Sequence, residues 1–182
     1  LKAIDDNARE LIQLISNMIE YQKFASGKPE LDKQKNDIKK IIHEAHLFFS
    51  AEFDSRGMKI NSTFSKPLWI ECDRARMHQV LTNLLQVSLY SASTKSAKII
   101  VNVWEKENEV EISIRTNGET LSNDDLDEIF SDFYKVDTSN IRSNGGIGLS
   151  LALCKKIIDA HGGKIEAIND EIGMKITFTL PK

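Results

Sequence analysis

The stretch SNGGIGLSLALCKK, Ser143 to Lys156, decides the fold of this chain. Its glycines precede apolar residues that return every three or four positions, which predicts a glycine-rich loop leading into an amphipathic helix. The backbone amides of Gly145, Gly146 and Gly148 are suited to hold phosphate oxygens. A helix that begins near Leu149 adds the free amides of its first turn. Tight turns also use glycine, so the loop alone leaves a structural and a phosphate-binding interpretation open.

Helices and strands alternate on both sides of this loop. The patterns predict a helix over 1–24, a helix over 36–57 with Asn36 as its cap, a strand pair turning at 65–67, a helix capped by Asp73, a hairpin turning at 107–109, a short helix starting at 122, and two final strands turning at 171–173. Grouped strands with helices on one face predict an α+β fold, a two-layer α/β sandwich with a mixed sheet. The side chains expected to pack include Met18, Phe48, Phe49, Trp69, Met77 and Trp104.

The N-terminal helix carries a wide apolar stripe. Its seam comprises Ile4, Ala8, Leu11, Ile15 and Met18, in steps of four and three, and Ile12, Leu14 and Ile19 widen it. A stripe of this width needs more than one partner helix, so we expect one helix of a dimeric bundle. Gly27 and Pro29 end the helix and mark a boundary between residues 1–27 and 28–182.

Length and composition are those of a globular domain with a helical appendage: 182 residues, 41% hydrophobic and 28% charged. The net charge of -3 comes from mixed signs without a basic block, which argues against a nucleic acid partner. No apolar run has the length of a membrane span, and the first residues do not resemble a signal peptide. Cys72 and Cys154 lie in apolar patterns without a metal-ligating neighbour. We expect buried, reduced thiols in a cytoplasmic protein, or in the cytosolic part of a membrane-anchored sensor.

Several motifs occur in a recognisable order: NLL at 83–85, TNG at 116–118, IFSDFYKVD at 129–137, GGIGLSLA at 145–152 and AHGG at 160–163. This order resembles the ATP-binding domain of the sensor histidine kinases, a family grouped with type II topoisomerases, the MutL repair proteins and the Hsp-class ATPase chaperones. Phe130, Phe133 and Tyr134 match the family's phenylalanine box. Residues 1–27 resemble the second helix of its dimerisation and phosphoacceptor hairpin, and 28–182 resemble its ATP-binding domain.

The resemblance implies a nucleotide pocket in the second of these two parts. Its positions are filled here by Asn83, Val87, Tyr90, Thr116, Gly118, Thr120, Phe130, Phe133, Tyr134, Gly145, Gly146, Gly148, Leu149 and Ser150.

The metal position of this pocket departs from the family pattern. In the family, the second asparagine of an Asn-x-x-x-Asn motif gives an oxygen to the Mg²⁺ that bridges the ATP phosphates. Here Asn83 is followed four residues later by Val87, whose isopropyl group offers Mg²⁺ no oxygen ligand. Tyr90 and Ser91 also replace a basic residue and an aromatic one. We therefore expect no metal site, although the side-chain oxygens of Asn83, Gln86 and Ser91 leave compensation open.

The adenine side departs as well. Where the family has an aspartate that accepts a hydrogen bond from the adenine amino group, this chain has Thr116. Of the two glycines that follow in the family's motif, the first is kept as Gly118 and the second is replaced by Thr120. An adenine amino group left without a full hydrogen-bond partner would cost about 1 to 3 kcal/mol of binding free energy. Thr120 adds a branched side chain where the backbone should approach the nucleotide. Ser150 replaces the last glycine of the second glycine box, a milder change because a serine can donate to a phosphate.

No histidine matches the family's phosphoacceptor motif. His43, His46, His78 and His161 read as surface or capping residues. We expect the chain to begin after the phosphoacceptor helix and to contain no catalytic residue of its own.

These departures predict a degenerate site. If the metal ligand and the adenine acceptor each contribute about 2 kcal/mol, affinity falls on the order of a thousandfold. We expect a pseudokinase core, binding Mg-ATP weakly or not at all, that regulates phosphorelay signalling through dimerisation by its N-terminal helix and docking of a response regulator receiver domain or another histidine kinase. Two alternatives stay open: an active histidine kinase with an atypical site, and a histidine phosphotransferase that uses a histidine on an upstream helix.

Overall fold

The computed structural model describes residues 2–27, 29–62, 66–92, 98–118, 120–134 and 148–182, with the backbone alone at 2–10, 13, 14, 59–62 and 90. In chain order the elements are α1 (Lys2–Ala25), β1 (Lys33–Asp37), α2 (Ile38–Ser55), β2 (Lys59–Ser62), β3 (Trp69–Asp73), α3 (Arg74–Ser91), β4 (Lys98–Glu105), β5 (Glu109–Asn117), α4 (Asn123–Glu128), α5 (Ser150–Ala160), β6 (Ile165–Asn169) and β7 (Gly173–Pro181).

The main sheet has five strands in the order β2-β4-β5-β7-β6. β2 runs parallel to β4 and the other neighbours are antiparallel, so the predicted mixed sheet is confirmed. On β5, the side chains of Val110, Ile112 and Ile114 are buried at every second position. They face α3, while α5 lies against β6 and β7 on the same side, and helices on one side of the sheet give the predicted two-layer α+β architecture.

One predicted strand pair is wrong. The segments before and after 65–67 were expected to pair with each other, through a turn that lies partly outside the described residues. Instead β2 pairs with β4, where Ile60 lies opposite Ile99, and β3 pairs with β1 in a separate two-stranded sheet. β1 has the polar sequence KQKND, so it lacks the alternation by which a strand is recognised. Strand propensity in a sequence does not identify the partner strand.

The helix caps are largely as expected. Asp73 caps α3 by accepting the backbone N–H of Arg76 at 3.1 Å, which confirms the prediction. The predicted cap of α2, Asn36, is wrong: the cap is Asp37, which accepts the N–H groups of Lys39 and Leu68. Asn36 lies in β1 and donates its side-chain amide to the carbonyl of Cys72 at 2.9 Å. The error of one residue arises because both side chains are good caps.

The core lies between the sheet and helices α2, α3 and α5. Its largest fully buried side chains include Ile38, Ile41, Ile42, Met77, Leu81, Leu84, Leu85, Leu89, Ile99, Ile112, Ile114 and Phe178. Cys72 and Cys154 are buried free thiols, as predicted. Burial raises the pKa of Cys72 to about 11 and that of Cys154 to about 12, so both are poor nucleophiles at neutral pH.

Four side chains expected to pack are exposed instead. The exposed fractions are 50% for Met18, 71% for Phe48, 55% for Trp69 and 43% for Trp104. Phe49, the neighbour of Phe48, is buried, because consecutive helical residues point in different directions. Met18 lies on a face of α1 that points away from the domain. The two tryptophans extend from the solvent side of their strands.

Helix α1 packs alongside α5, with Asn17, Tyr21 and Phe24 buried. Among the helices of the described residues, none is both long enough and apolar enough to span a membrane.

His161 joins the end of α5 to the start of α3. Only 2% of it is exposed, and its Nε2 accepts the backbone N–H of Asp73 at 3.0 Å. Nδ1 therefore carries the proton and donates to the carbonyl of Ile157 at 2.7 Å. Burial lowers the pKa of His161, with the nearby Lys33 acting in the same direction. The predicted capping role is correct, and the side chain is in addition a buried bridge.

We predict that this bridge makes stability depend on pH. The folded protein favours neutral His161, whereas the unfolded chain protonates near pH 6.5, so the free energy of unfolding should fall as pH decreases below 6.5. Urea unfolding of the protein and of His161→Gln, at pH 7.5 and 5.5, measures the effect. Between pH 7.5 and pH 5.5 the free energy of unfolding should fall more in the wild type than in the variant. The difference between the two proteins should be no more than about 1.4 kcal/mol per pH unit.

Glutamine can still accept the Asp73 N–H, so His161→Gln is expected to fold. His46, whose pKa burial also lowers, is present in both proteins and cancels in the comparison. An identical pH dependence in the two proteins would contradict the role assigned to His161.

Candidate functional site

The side of α3 that faces the start of α5 carries the first of the site residues. Asn83 is 9% exposed, and its side-chain amide donates to the carbonyl of Ser150 across a long 3.5 Å. It also lies against the thiol of Cys154. Asn83 therefore fastens two helices together, which is a structural role for the one asparagine that the motif retains.

Val87 lies one turn later and is half-buried against the apolar core. The hydroxyl of Ser91 donates to the carbonyl of Val87 at 2.8 Å, so it is engaged by its own helix. Gln86 is exposed. Within the part of the chain that the structure describes, no cluster of three or more His, Cys, Asp or Glu side chains is placed to hold a metal. Val87 itself offers Mg²⁺ no oxygen ligand, the Ser91 hydroxyl is engaged by its own helix, and the Asn83 bond to Ser150 uses its amide nitrogen rather than its oxygen.

Thr116 lies on β5 between Ile99 and Met174 of the neighbouring strands. It is 1% exposed, and its Oγ1 has no hydrogen-bond partner among the residues described. A hydroxyl sealed from water is also sealed from a nucleobase unless its surroundings move. In this structure the Thr116 hydroxyl is therefore closed off, and it is an unsatisfied polar atom among the residues described.

The retained glycines have structural reasons to be glycine. A Cβ on Gly118 would lie 2.3 Å from the carbonyl oxygen of Ser91, so this residue lets the end of β5 abut the end of α3. Gly148 has φ +77°, and a Cβ there would lie 2.5 Å from the carbonyl oxygen of Tyr134. Both close approaches exclude any other residue whether or not a nucleotide binds.

The described part of the phenylalanine box, 129–134, folds into the turn after α4, and 135–137 lie outside the described residues. Phe130 packs against the core, whereas Phe133 is 59% exposed and has φ +63°, an uncommon conformation for a residue with a side chain. The hydroxyl of Tyr134 donates to Asp125 at 2.6 Å. That bond raises the pKa of Tyr134 to about 12, and the Ser122 and Tyr134 hydroxyls lower the pKa of Asp125.

The remaining site positions are dispersed. Leu149 is buried at the start of α5, and Ser150 is half-buried beside it. Thr120 is exposed. Gly145 and Gly146 lie outside the described residues, as does the side chain of Tyr90.

The sequence did not indicate two residues that contact this region. The hydroxyl of Tyr21, on α1, donates to the carboxylate of Asp132 in the phenylalanine-box turn. A tyrosine on the amphipathic α1 was a weak signal, because a buried phenol needs a hydrogen-bond partner. Nothing in the sequence identified Asp132 as that partner.

Comparison with known families gives one match. Residues 72–182 match the family described as "Histidine kinase-, DNA gyrase B-, and HSP90-like ATPase". Two curated relatives align with all of this chain over 183 residues. The sensor protein KdpD of Clostridium acetobutylicum is 33% identical, and the sensor histidine kinase WalK of Bacillus subtilis is 29% identical. The chain spans 20% of the first protein's length and 30% of the second's.

Solved structures share the architecture. The nucleotide-free catalytic domain of the histidine kinase ThkA has a TM-score of 0.73 at 29% identity, over 83% of this chain and 98% of that one. ThkA in complex with the response regulator TrrA has a TM-score of 0.78 at 26% identity, over 99% of this chain and 49% of that one. Full-length ShkA in complex with AMPPNP has a TM-score of 0.84 at 21% identity, over 99% of this chain and 37% of that one. At this identity the match shows similarity of fold alone.

We predict that Thr116→Val stabilises the protein. The change keeps the side-chain shape and removes a buried hydroxyl without a partner, so the free energy of unfolding should rise by about 1 kcal/mol. Urea unfolding monitored by circular dichroism measures it. Ser91→Ala is the matched control, because it removes a buried hydroxyl that has a partner and should destabilise by a similar amount. Destabilisation by Thr116→Val would show that its hydroxyl is satisfied after all.

Proposed function

The chain belongs to the histidine kinase-, DNA gyrase B- and HSP90-like ATPase family as a sensor histidine kinase-type catalytic domain, and we propose that its nucleotide site is degenerate. In this proposal, residues 1–27 are the second helix of the dimerisation hairpin and 28–182 are the ATP-binding domain. The core binds Mg-ATP weakly or not at all. It regulates phosphorelay signalling in the cytoplasm through dimerisation and partner docking.

A single observation carries the proposal: Val87 packs on the core where the family's metal ligand stands. Mg²⁺ demands oxygen ligands in near-octahedral geometry, and in ATP-dependent phosphoryl transfer it neutralises the charge of the phosphates. The hydroxyl of Ser91 is bonded to the Val87 carbonyl and the amide of Asn83 to Ser150. The Ser91 bond supports the absence of a substitute ligand there, whereas the Asn83 bond engages only its amide nitrogen.

The adenine side supports the same proposal independently. A carboxylate at position 116 would offer a strong, charged acceptor, whereas the Thr116 hydroxyl is buried and inaccessible. The two changes act on opposite ends of the nucleotide. Their costs therefore add to a good approximation, because sites without shared partners behave independently.

Several residues at the motif positions maintain the shape of the site. Asn83 fastens α3 to α5, Gly118 sets β5 against α3, and Gly148 sets the start of α5 against the phenylalanine-box turn. A partner protein that binds the surface of the domain would therefore find the same fold, whether or not a nucleotide is bound.

Partner recognition is part of the proposal. ThkA shares the fold of this chain and is 26% identical to it. Its structure was solved in complex with the response regulator TrrA. This supports a receiver domain as a partner here, and another histidine kinase is the other candidate. The apolar stripe of α1 supports a second copy of this chain. Its members are exposed by 50% to 65%: Leu11, Ile12, Ile15, Met18 and Ile19.

An active kinase with an atypical site is the second candidate. The observation in its favour is the intact phenylalanine box, in which Tyr134 is bonded to Asp125 and Phe130 packs on the core. Histidine phosphotransfer, the third possibility, requires a histidine on an upstream helix.

We predict that nucleotide binding is weak and insensitive to Mg²⁺. Titration of a non-hydrolysable ATP analogue into the protein, followed by calorimetry, should give a dissociation constant of roughly 1 mM or above. Replacing Mg²⁺ by EDTA should not change it, because no side chain supplies a ligand. Micromolar affinity that depends on Mg²⁺ would contradict the degenerate site and favour the active kinase.

The double variant Val87→Asn with Thr116→Asp tests which positions carry the defect. If they do, affinity should recover by a factor of about 100 or more and become dependent on Mg²⁺. Val87→Leu is the matched control, because leucine has the branched shape of asparagine without its oxygen. No recovery in a double variant that remains folded would assign the weak binding to other residues.

We predict that the α1 stripe forms the dimer. Ile15→Glu places a charge within it and should convert the dimer into a monomer, measured by sedimentation velocity, because an unpaired charge is costly in an apolar interface. Phe48→Glu is the matched control: it removes an apolar side chain that is 71% exposed, but on α2. Equal effects of the two variants, or a dimer that survives Ile15→Glu, would place the interface elsewhere.

A further inference from the structure

The main sheet has an outer face that points away from the helices. In the described part of the chain, the helices pack on the side of Val110, Ile112 and Ile114. Side chains that alternate with these along the strands therefore point outward. The register of β4, β5 and β7 arranges them in three rows across the sheet. The first row contains Trp104 and Glu111, the second Ser113 and Thr177, and the third Ile100 and Arg115.

The end of the outer face at the first row is acidic. The ammonium group of Lys106 lies 2.7 Å from the carboxylate of Glu111 and 3.1 Å from that of Glu109. Two carboxylates thus surround one cation. The ion pairs occupy only part of each carboxylate, because a carboxylate can accept several hydrogen bonds. Glu111 therefore keeps the capacity to bind a further cation that approaches from outside the sheet.

The opposite end of the outer face, at the third row, is basic. The Nε of Arg115 lies 2.7 Å from the carboxylate of Asp170, and Lys175 lies directly opposite Arg115 on β7. Two cations thus accompany one carboxylate. Arg115 has five N–H donors in a planar fork, and its ion pair with Asp170 does not use all of them. The remaining donors suit a second carboxylate.

A two-fold axis along the second row makes the outer face complementary to itself. Such an axis, placed between two stacked copies, reverses the strand direction and leaves each strand opposite its own copy. The first row of one copy then meets the third row of the other, in a contact that both copies make identically. Glu111 faces Arg115 of the second copy, and Trp104 faces its Ile100. β5 is the central strand of the five, so the charged pairs lie at the middle of the sheet.

The second row suits the close approach of another sheet. Ser113 is 1% exposed, Thr177 is 6% exposed, and the Ser113 hydroxyl has no hydrogen-bond partner among the residues described. Because this hydroxyl is already dehydrated, covering it removes little further hydration. Trp104 is 43% exposed and gains from burial. Glu166 extends the row on the edge strand β6, where a crossing angle of about 30° between packed sheets separates the two copies.

We propose that the outer face is a self-association surface, on which a second copy of this chain packs its own outer face with Glu111 and Arg115 paired reciprocally. Five residues on each of four strands give roughly 300 Å² per copy, from spacings of about 3.3 and 4.8 Å. A stable complex buries about 800 Å² per partner, so this association is weak and transient. It involves neither the apolar stripe of α1 nor a nucleotide. Where both surfaces act, dimers formed through α1 join in pairs.

The fluorescence of Trp104 reports on this face alone. The chain has two tryptophans, so Trp69→Phe leaves Trp104 as the single one. In this full-length background, the emission maximum should move to shorter wavelength as the protein concentration rises from about 10 μM to about 1 mM, because the second copy covers the ring. Association through α1 leaves the signal unchanged, since α1 packs alongside α5 on the helix side of the sheet.

Arg115→Glu and Glu111→Arg, made in the same background, test the pairing. Each variant places like charges opposite each other at both charged contacts, so each alone should associate about tenfold more weakly or worse. An equimolar mixture of the two restores opposite charges at both contacts, and its association should return to within about twofold of the parent. Lys35→Glu and Glu71→Arg are the matched controls. They make the same changes of charge on the separate sheet of β1 and β3 and should have no effect.

Three outcomes would overturn the proposal. The first is Trp104 emission that does not change with concentration, which would leave the outer face to a different protein or to solvent. The second is equal weakening by Arg115→Glu and Lys35→Glu, which would indicate net charge rather than pairing. The third is a mixture of the two charge-reversed variants that associates no better than either alone.

A second measurement applies if Arg115→Glu, which loses its ion pair with Asp170, does not fold by circular dichroism. Sedimentation velocity over the same concentrations then compares Trp104→Ser with the wild type. Trp104→Ser should associate about tenfold more weakly, because it removes the largest side chain of the outer face. Trp69→Ser removes the exposed tryptophan of the separate sheet and should not. Equal effects of these two substitutions would also overturn the proposal.

Discussion

The burial of α3 between the sheet and α5 is the constraint on which the rest of the structure depends. Leu81, Leu84, Leu85 and Leu89 are all 1% exposed or less, and their positions set the rotation of the helix. That rotation turns Asn83, Val87 and Ser91 toward the candidate site. Because aliphatic burial supplies the stabilisation, the site residues on the same helix can change without loss of the fold. The fold is therefore compatible with the family whatever residues stand at these positions.

Contacts inside the chain account for residues that a motif comparison would credit to a nucleotide. Gly118 and Gly148 allow backbone approaches that any Cβ would block, and Asn83 joins two helices. A retained motif residue thus has two independent reasons to persist. The changed residues, Val87 and Thr116, carry more information about activity, since each replaces an oxygen donor or acceptor by a group that the core accommodates.

Much of the fold was predictable because its determinants are local. Apolar periodicity indicated the long helices, turn chemistry located the β4–β5 and β6–β7 hairpins, and Asp73 was recognised as a cap. The partners of β2 and β3 were not predictable, because pairing depends on contacts that are distant in sequence. Trp69 and Phe48 were assigned to the interior because a large apolar side chain does not show which face of its element is covered.

The sequence by itself determined the family resemblance, most of the elements and the side chains that stand at positions 87 and 116, because side-chain identity decides which atoms can bind a metal or accept a hydrogen bond. Only the tertiary structure decided which neighbours these side chains contact. In the folded chain the Ser91 hydroxyl bonds to its own helix, and the Thr116 hydroxyl is buried away from water. Tyr21 contacts Asp132, which is 111 residues away in the sequence. Hydrogen bonds are short and directional, so their partners follow from three-dimensional placement and not from sequence spacing.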